Sequence, residues 1–167
     1  MTIEMTSLLV SVCFFVLYIA YIVIRYGVQT SISDSYYRLT KMNKIIFTVA
    51  TWGYAFPLII AAAPLNVVPD GTALLFFAGG LICFVGAAPD FRGIDKGFHS
   101  VFAEGGIAFA LVWMLLFHYW LIAIIAILAI AWLYWKQLRN HTWWIEVIAY
   151  TSIILALLFR NLGLKIF

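Results

Sequence analysis

The stretch SLLVSVCFFVLYIAYIVIRY, residues 7 to 26, holds one charged side chain, Arg25, close to its end. A helix crosses a bilayer with about 20 predominantly apolar residues, because each adds about 1.5 Å and the hydrocarbon layer is about 30 Å thick. The stretch therefore predicts a membrane-spanning helix. The residues before it carry Glu4 and lack the basic region and cleavage pattern of a secretory signal, so we expect the helix to remain as a span.

The rest of the chain repeats this pattern. The protein has 167 residues, of which 66% are hydrophobic and 10% charged, whereas soluble domains are about half apolar and about a quarter charged. Because hydrocarbon cannot hydrogen-bond an exposed backbone, helices joined by short turns are expected. The predicted fold is all-α, a single domain over residues 1–167 that forms an integral membrane bundle of six transmembrane helices. The predicted spans are 7–26, 44–63, 71–88, 101–118, 119–136 and 143–160.

Charge is distributed unevenly between the connections. With six spans, the first, third and fifth connections share one side of the membrane, and they hold eight of the ten cations: Arg25, Arg38, Lys41, Lys44, Arg92, Lys96, Lys136 and Arg139. Lysine and arginine in short loops are retained in the cytoplasm. We therefore expect these three connections to be cytoplasmic and the protein to lie in a bacterial inner membrane or its equivalent.

The composition also limits the partners. The net charge is +3, and no block of like charges resembles an arm that binds nucleic acid. We expect membrane lipids as partners, together with a second copy of the chain or another membrane protein. Tryptophan and tyrosine cluster near the predicted span ends, at residues 118–120, 132–135 and 142–144, and are interpreted as interfacial anchors.

The first connection, SISDSYYRLTK at residues 31–41, concentrates polar side chains between two apolar runs. Its hydroxyls and its carboxylate suit a helix cap or an Asx-turn. The alternative is a polar pocket at the headgroup level, where residues from several connections converge. The candidate site residues are Ser33, Asp34, Asp90, His99, Glu104 and Glu146, with Tyr37, Arg38 and Arg92 placed to hold an anionic headgroup.

Two acids lie about one turn inside predicted spans. Glu104 and Glu146 stand in VFAEGGIAFALVW and TWWIEVIAYTSII, where an unpartnered carboxylate is costly. An intramembrane acid indicates a functional site by default. The alternative for both is an ion pair with a lysine or arginine at the nearby charged face.

The same face carries candidate metal ligands. His99 and Asp90 could hold a zinc ion together with His141 or Glu104, since a catalytic zinc has three protein ligands and an open position. His118 lies at the far end of span four, roughly 28 Å from His99 along the helix. These two histidines therefore cannot share one metal or one haem.

The motif SISDSYYRL resembles the Ile-Ser-Asp signature that follows the first helix in the Frag/DRAM/Sfk group of polytopic membrane proteins. It is also similar to the Ser-Ile-Ser-x-Tyr-Tyr pattern of small bacterial multi-span proteins. The resemblance implies about six helices and a function connected with lipids. The residues that correspond to the signature are Ile32, Ser33, Asp34, Tyr36 and Tyr37. It implies an extracytoplasmic position for the motif, whereas the cations predict a cytoplasmic one. A fainter likeness to the CREST membrane hydrolases implies serine, aspartate and histidines around zinc, although this chain has no His-x-x-x-His.

Three functions remain as alternatives. The first is a bundle whose charged face binds a lipid headgroup or a partner without chemistry. The second is a metal-dependent, membrane-embedded hydrolase that acts on a lipid. The third is proton or ion translocation through the two acids, which would need an oligomeric interface because four of the spans offer no ionisable group near mid-membrane.

Overall fold

The computed structural model describes residues 2–40, 43–62, 72–87 and 96–164; within these ranges the side chains of residues 72, 73, 84, 86, 87 and 96–100 are left out of the description. The described residues form six α-helices, and the predicted all-α class is confirmed. They are α1 (Ile3–Tyr26), α2 (Lys44–Ala62), α3 (Thr72–Ala87), α4 (Lys96–Leu116), α5 (Trp120–Lys136) and α6 (His141–Asn161). A 3-10 helix, Ser33–Arg38, follows α1 and was not predicted as a helix.

Three of these helices are long and apolar enough to cross a membrane, namely α1, α2 and α6. The other three contain shorter apolar helical stretches, Leu74–Cys83, Val101–Leu116 and Trp120–Lys136. Large apolar side chains point outward, among them Ile24 at 81% exposure and Leu128 at 64%. An outer surface of this kind suits contact with lipid chains.

The helices pack as neighbours in chain order, and α6 closes the bundle. The most extensive contacts join α1 to α2 and α3 to α4, and α6 contacts α1, α4 and α5. Arg160 near the end of α6 donates from Nη1 to the carbonyl oxygen of Ala62, the last residue of α2, at 2.6 Å. The start of α6 lies beside the connection that follows α1, where the backbone N–H of Trp143 donates to the carbonyl oxygen of Thr30 at 3.1 Å.

Two glycines allow helices to approach closely. A Cβ on Gly79 of α3 would lie 2.3 Å from Cγ1 of Ile59 in α2. A Cβ on Gly106 of α4 would lie 2.9 Å from Cδ1 of Ile82 in α3. At Gly80, the next residue of α3, an added Cβ would have no neighbour within 4 Å.

The prediction that aromatic clusters at span ends are interfacial anchors was wrong for two residues. Trp143 is 1% exposed, in the core formed by α1, α2 and α6, and Tyr119 is buried with its ring stacked on Trp113 at a centroid distance of 5.3 Å. Both rings fill space between helices, where the area removed from water is larger than at an interface. Trp132 and Trp135 of α5 are exposed, as an anchor requires.

Candidate functional site

The connection between α1 and α2 folds back against the start of α6. Helix α1 ends at Gly27, whose φ of 75° lies in the left-handed region that glycine adopts readily, and the Gly27 N–H donates to Val23 O. The amide of Gln29 donates to the carbonyl oxygens of Tyr26 and Gly27 at 2.7 and 2.9 Å, which satisfies acceptors at the helix end. Asn140 donates from Nδ2 to Val28 O at 3.3 Å. The first and fifth connections are therefore adjacent.

Hydroxyl groups organise the turn into the 3-10 helix. Ser31 Oγ accepts from the N–H of Asp34 at 3.0 Å, whereas Ile32, the N-cap residue of the 3-10 helix, makes no side-chain cap hydrogen bond. Ser31 and Ser33 are hydrogen-bonded through their hydroxyls at 3.0 Å. Ser35, fully buried, donates to Ile32 O and bonds to the hydroxyl of Tyr18 in α1. The polar composition of the motif thus holds one buried turn in place.

Glu146 reaches this turn from the second turn of α6. One carboxyl oxygen, Oε2, accepts from the backbone N–H of Ile32. Within the described residues, Glu146 forms no ion pair with a lysine, arginine or histidine. The ion pair with the charged face that was the alternative for this acid is therefore not seen there. The carboxyl instead caps a backbone donor 114 residues earlier in the chain.

A pocket on the outer side of the turn, here called the rim pocket, collects side chains from both connections. It has about 1430 Å³ of empty space that includes its open mouth. Arg38 and Arg139 are exposed, and Asp34, which accepts from the hydroxyl of Thr30, is partly buried. The lining residues are Tyr26, Val28, Gln29, Thr30, Asp34, Tyr37, Arg38, Arg139 and Asn140. The two arginines and one aspartate give this pocket a net positive charge.

A second space, here called the interior cavity, lies on the other side of the turn, between α1, α2, α3, α4 and α6. Its empty volume is about 870 Å³, part of it open to the surroundings. Ser33 and Glu146 line one end, and along α6 the lining continues to Leu157. Eleven residues separate Glu146 from Leu157, so the cavity extends about 16 Å along that helix. Apart from these two residues and the hydroxyls of Tyr54 and Tyr150, its wall is apolar.

The structure brings together only some of the predicted site residues. Ser33 and Glu146 line the interior cavity, whereas Asp34, Tyr37 and Arg38 line the rim pocket. Glu104 is exposed on α4 and lines neither space. Asp90 and Arg92 lie outside the described residues, and His99 lies in α4 with its side chain outside the description.

The zinc site stays a prediction. His141 is partly buried, its Nδ1 lies 3.0 Å from the carbonyl oxygen of Leu138, and its ring packs against Tyr134 at 5.4 Å. Among the described side chains, no three histidine, cysteine, aspartate or glutamate residues are grouped to hold a metal ion. Two of the proposed ligands, His99 and Asp90, fall outside that set, so metal-dependent hydrolysis is untested.

Sequence reasoning missed several residues that line the two spaces. Arg139 and Asn140 were not assigned to the site, although Arg139 had been counted among the cations of one face. In the cavity, Tyr150 donates to the Ser11 carbonyl at 3.2 Å, and its ring stacks on Phe15 at 3.9 Å. Tyr150 follows Glu146 by four residues and so shares its helix face, a signal that could have identified it.

The arrangement offers two binding surfaces that share one wall. Cationic donors face the rim pocket, and acceptor oxygens face the interior cavity, with residues 32–34 between them. No protein-family model, curated protein or solved structure matches this chain.

Proposed function

We propose that the protein is a six-span membrane bundle that binds the anionic headgroup of a membrane lipid in the rim pocket. The observation that carries this proposal is the convergence of Arg38 and Arg139. They stand about a hundred residues apart in the chain, in the first and fifth connections, yet line one pocket. Arginines that served only to retain their own loops in the cytoplasm would not need to line the same pocket.

The donors of the rim pocket suit a phosphate group. Each guanidinium group carries a permanent charge and a planar set of N–H donors that matches two phosphate oxygens at once. Tyr37 lines the same pocket, and its phenol can donate to a phosphate or glycerol oxygen. Asp34 offsets one of the two positive charges, which favours a headgroup with one negative charge over a multiply charged one.

The position of the pocket beyond the ends of two helices that are long enough to span supports a headgroup as its ligand. Arg38 ends the 3-10 helix after α1, and Arg139 lies two residues before α6 begins, and both α1 and α6 are long enough to span. Basic side chains just beyond span ends attract anionic lipids of the cytoplasmic leaflet. Most of the cations flank this rim, which supports a cytoplasmic position for it in a bundle of six spans.

Lipid counting by native mass spectrometry tests the proposal. Purified protein is titrated with phosphatidylglycerol or with phosphatidylcholine of the same acyl chains, and we expect a preference for phosphatidylglycerol. Arg38→Gln and Arg139→Gln should each weaken phosphatidylglycerol binding about fivefold, since a basic residue near a membrane surface contributes about 1 kcal/mol. The double variant should lose the preference.

Arg25→Gln is the matched control. Arg25 is an exposed arginine at the end of α1, beside the pocket but not in its lining. Equal binding of both lipids by the unmodified protein would contradict the proposal, as would equal losses in Arg25→Gln and Arg139→Gln.

A further inference from the structure

The interior cavity has two ends of different chemistry. At the end near the first connection lie the hydroxyl of Ser33 and the carboxyl of Glu146. At the other end the wall consists of apolar side chains, among them Ala62, Leu75 and Leu157. An elongated apolar space with a few convergent polar groups at one end is the usual form of a site for a small amphiphilic ligand.

The polar end is rich in acceptors. The carboxylate of Glu146 has about four lone-pair sites, and the structure uses one of them, at Oε2, for the N–H of Ile32. Ser33 Oγ shares a hydrogen bond with Ser31 Oγ and retains a further lone pair. Asp34, the residue after Ser33, adds a second carboxyl on the other side of the turn. This end therefore disfavours an acidic head and favours a cationic donor.

We propose that the interior cavity binds a single-chain amphiphile whose head is a primary ammonium group. The head lies against Glu146 and Ser33, and the apolar chain extends along α6 towards Leu157. An ammonium group has three N–H donors, which match the acceptors that this end presents. The ion pair offsets the cost of keeping a carboxylate away from water, and removing the chain from water adds about 25 cal/mol for each Å² of apolar surface that it buries.

This site is separate from the rim pocket. Ser33 lines the interior cavity and its neighbour Asp34 lines the rim pocket, so the turn divides the two spaces. The two sites also prefer heads of opposite charge. Binding of an amine in the cavity and of an anionic lipid at the rim can therefore succeed or fail independently.

A series of three probes of equal chain length tests the proposal. Dodecylamine, dodecanol and dodecanoic acid are titrated into the purified protein in a nonionic detergent, and native mass spectrometry measures bound ligand. We expect one tightly bound dodecylamine, weaker dodecanol and no dodecanoic acid at the same concentrations. Binding of dodecanol or of dodecanoic acid as tight as that of dodecylamine would overturn the proposal.

Two variants locate the amine. Glu146→Gln keeps a side-chain carbonyl that can accept from Ile32 while it removes the charge, so dodecylamine affinity should fall about tenfold, with dodecanol affinity nearly unchanged. Glu104→Gln, which alters an exposed acid outside the cavity, should change neither. Loss of dodecylamine affinity to the same extent in both variants would overturn the assignment to Glu146.

A third variant tests the path of the chain. Ala149 lines the cavity between Glu146 and Ile153, so Ala149→Leu should obstruct the chain and weaken both dodecylamine and dodecanol. Thermal unfolding of the unliganded variant checks that it remains folded. A folded Ala149→Leu protein that binds dodecylamine as tightly as the unmodified protein would contradict a ligand chain that lies along α6. If Ala149→Leu does not fold, Ile153→Phe is measured in its place with the same expectation, since Ile153 is another lining residue on α6.

Discussion

The rim pocket and the interior cavity lie on opposite sides of one turn and differ in exposure and in charge. The rim pocket presents exposed arginines from two connections, whereas the cavity presents one carboxyl and the hydroxyls of one serine and two tyrosines inside an otherwise apolar wall. The turn between them is held by hydrogen bonds from its own serines, from Tyr18 and from Glu146. A short polar motif can thus form two unlike surfaces, because consecutive side chains of a tight helical turn point in different directions.

Both spaces depend on one ordered turn, and replacing Trp143, which packs beside it, should change stability and binding most. The side chain of Trp143 is 1% exposed, beside the start of the turn, where its backbone N–H donates to Thr30 O; Trp143→Ala keeps that backbone hydrogen bond and removes the indole packing. Trp143→Ala should lower the free energy of unfolding by about 3–5 kcal/mol through the cavity that it leaves. Both phosphatidylglycerol and dodecylamine binding should weaken in this variant, because both spaces border the same turn.

The neighbouring tryptophan provides the control. Trp144 is 43% exposed and belongs to neither pocket lining. Trp144→Ala should change the free energy of unfolding by no more than about 0.5 kcal/mol, as is usual for a surface position. Thermal unfolding in one detergent compares the two variants. Equal destabilisation would mean that Trp143 does not support the turn in the manner described.

A smaller effect should separate the structural role of Glu146 from its binding role. Glu146→Ala leaves the N–H of Ile32 without its acceptor, which should cost about 1–3 kcal/mol of stability. Glu146→Gln retains an acceptor, so its free energy of unfolding should lie much closer to that of the unmodified protein. Chemical denaturation of both variants measures the difference. If Glu146→Gln is as unstable as Glu146→Ala, the charge itself stabilises the turn.

The sequence was sufficient to predict the helices, because a span is specified locally by the length and composition of an apolar run. The predicted segment 119–136 and the observed α5, Trp120–Lys136, differ by one residue. Helix α4 begins at Lys96, five residues before the predicted segment, because hydropathy marks only the apolar part of a helix and not the mostly polar turn before it.

The partition of the site could not be predicted in the same way. Ser33 and Asp34 were assigned to one polar pocket, but the 3-10 helix directs them into two spaces, and nothing in their order specifies the direction of each side chain. The hydrogen bond between Glu146 and Ile32 joins residues 114 positions apart in the chain. The donor is a backbone N–H, and the sequence does not indicate which backbone group a distant carboxyl will meet. Glu104 matched Glu146 in depth and surroundings, yet its position on α4 leaves it exposed.

Ionic strength should have a smaller effect, and it should weaken ligand binding in the two spaces to different extents. The Debye length falls from about 10 Å to about 3 Å between 0.1 M and 1 M salt, so charges at an exposed surface are screened more strongly than buried ones. Phosphatidylglycerol binding at Arg38 and Arg139 should therefore weaken severalfold over this range. Dodecylamine binding at Glu146 should change less, because part of that ion pair is shielded from solvent and because burial of its chain is favoured by salts that strengthen the hydrophobic effect. Titrations of both probes at low and high sodium chloride measure the two slopes. Parallel slopes would indicate that the ammonium head remains at the water-exposed rim, and the proposed division of the two sites by the turn would then be wrong.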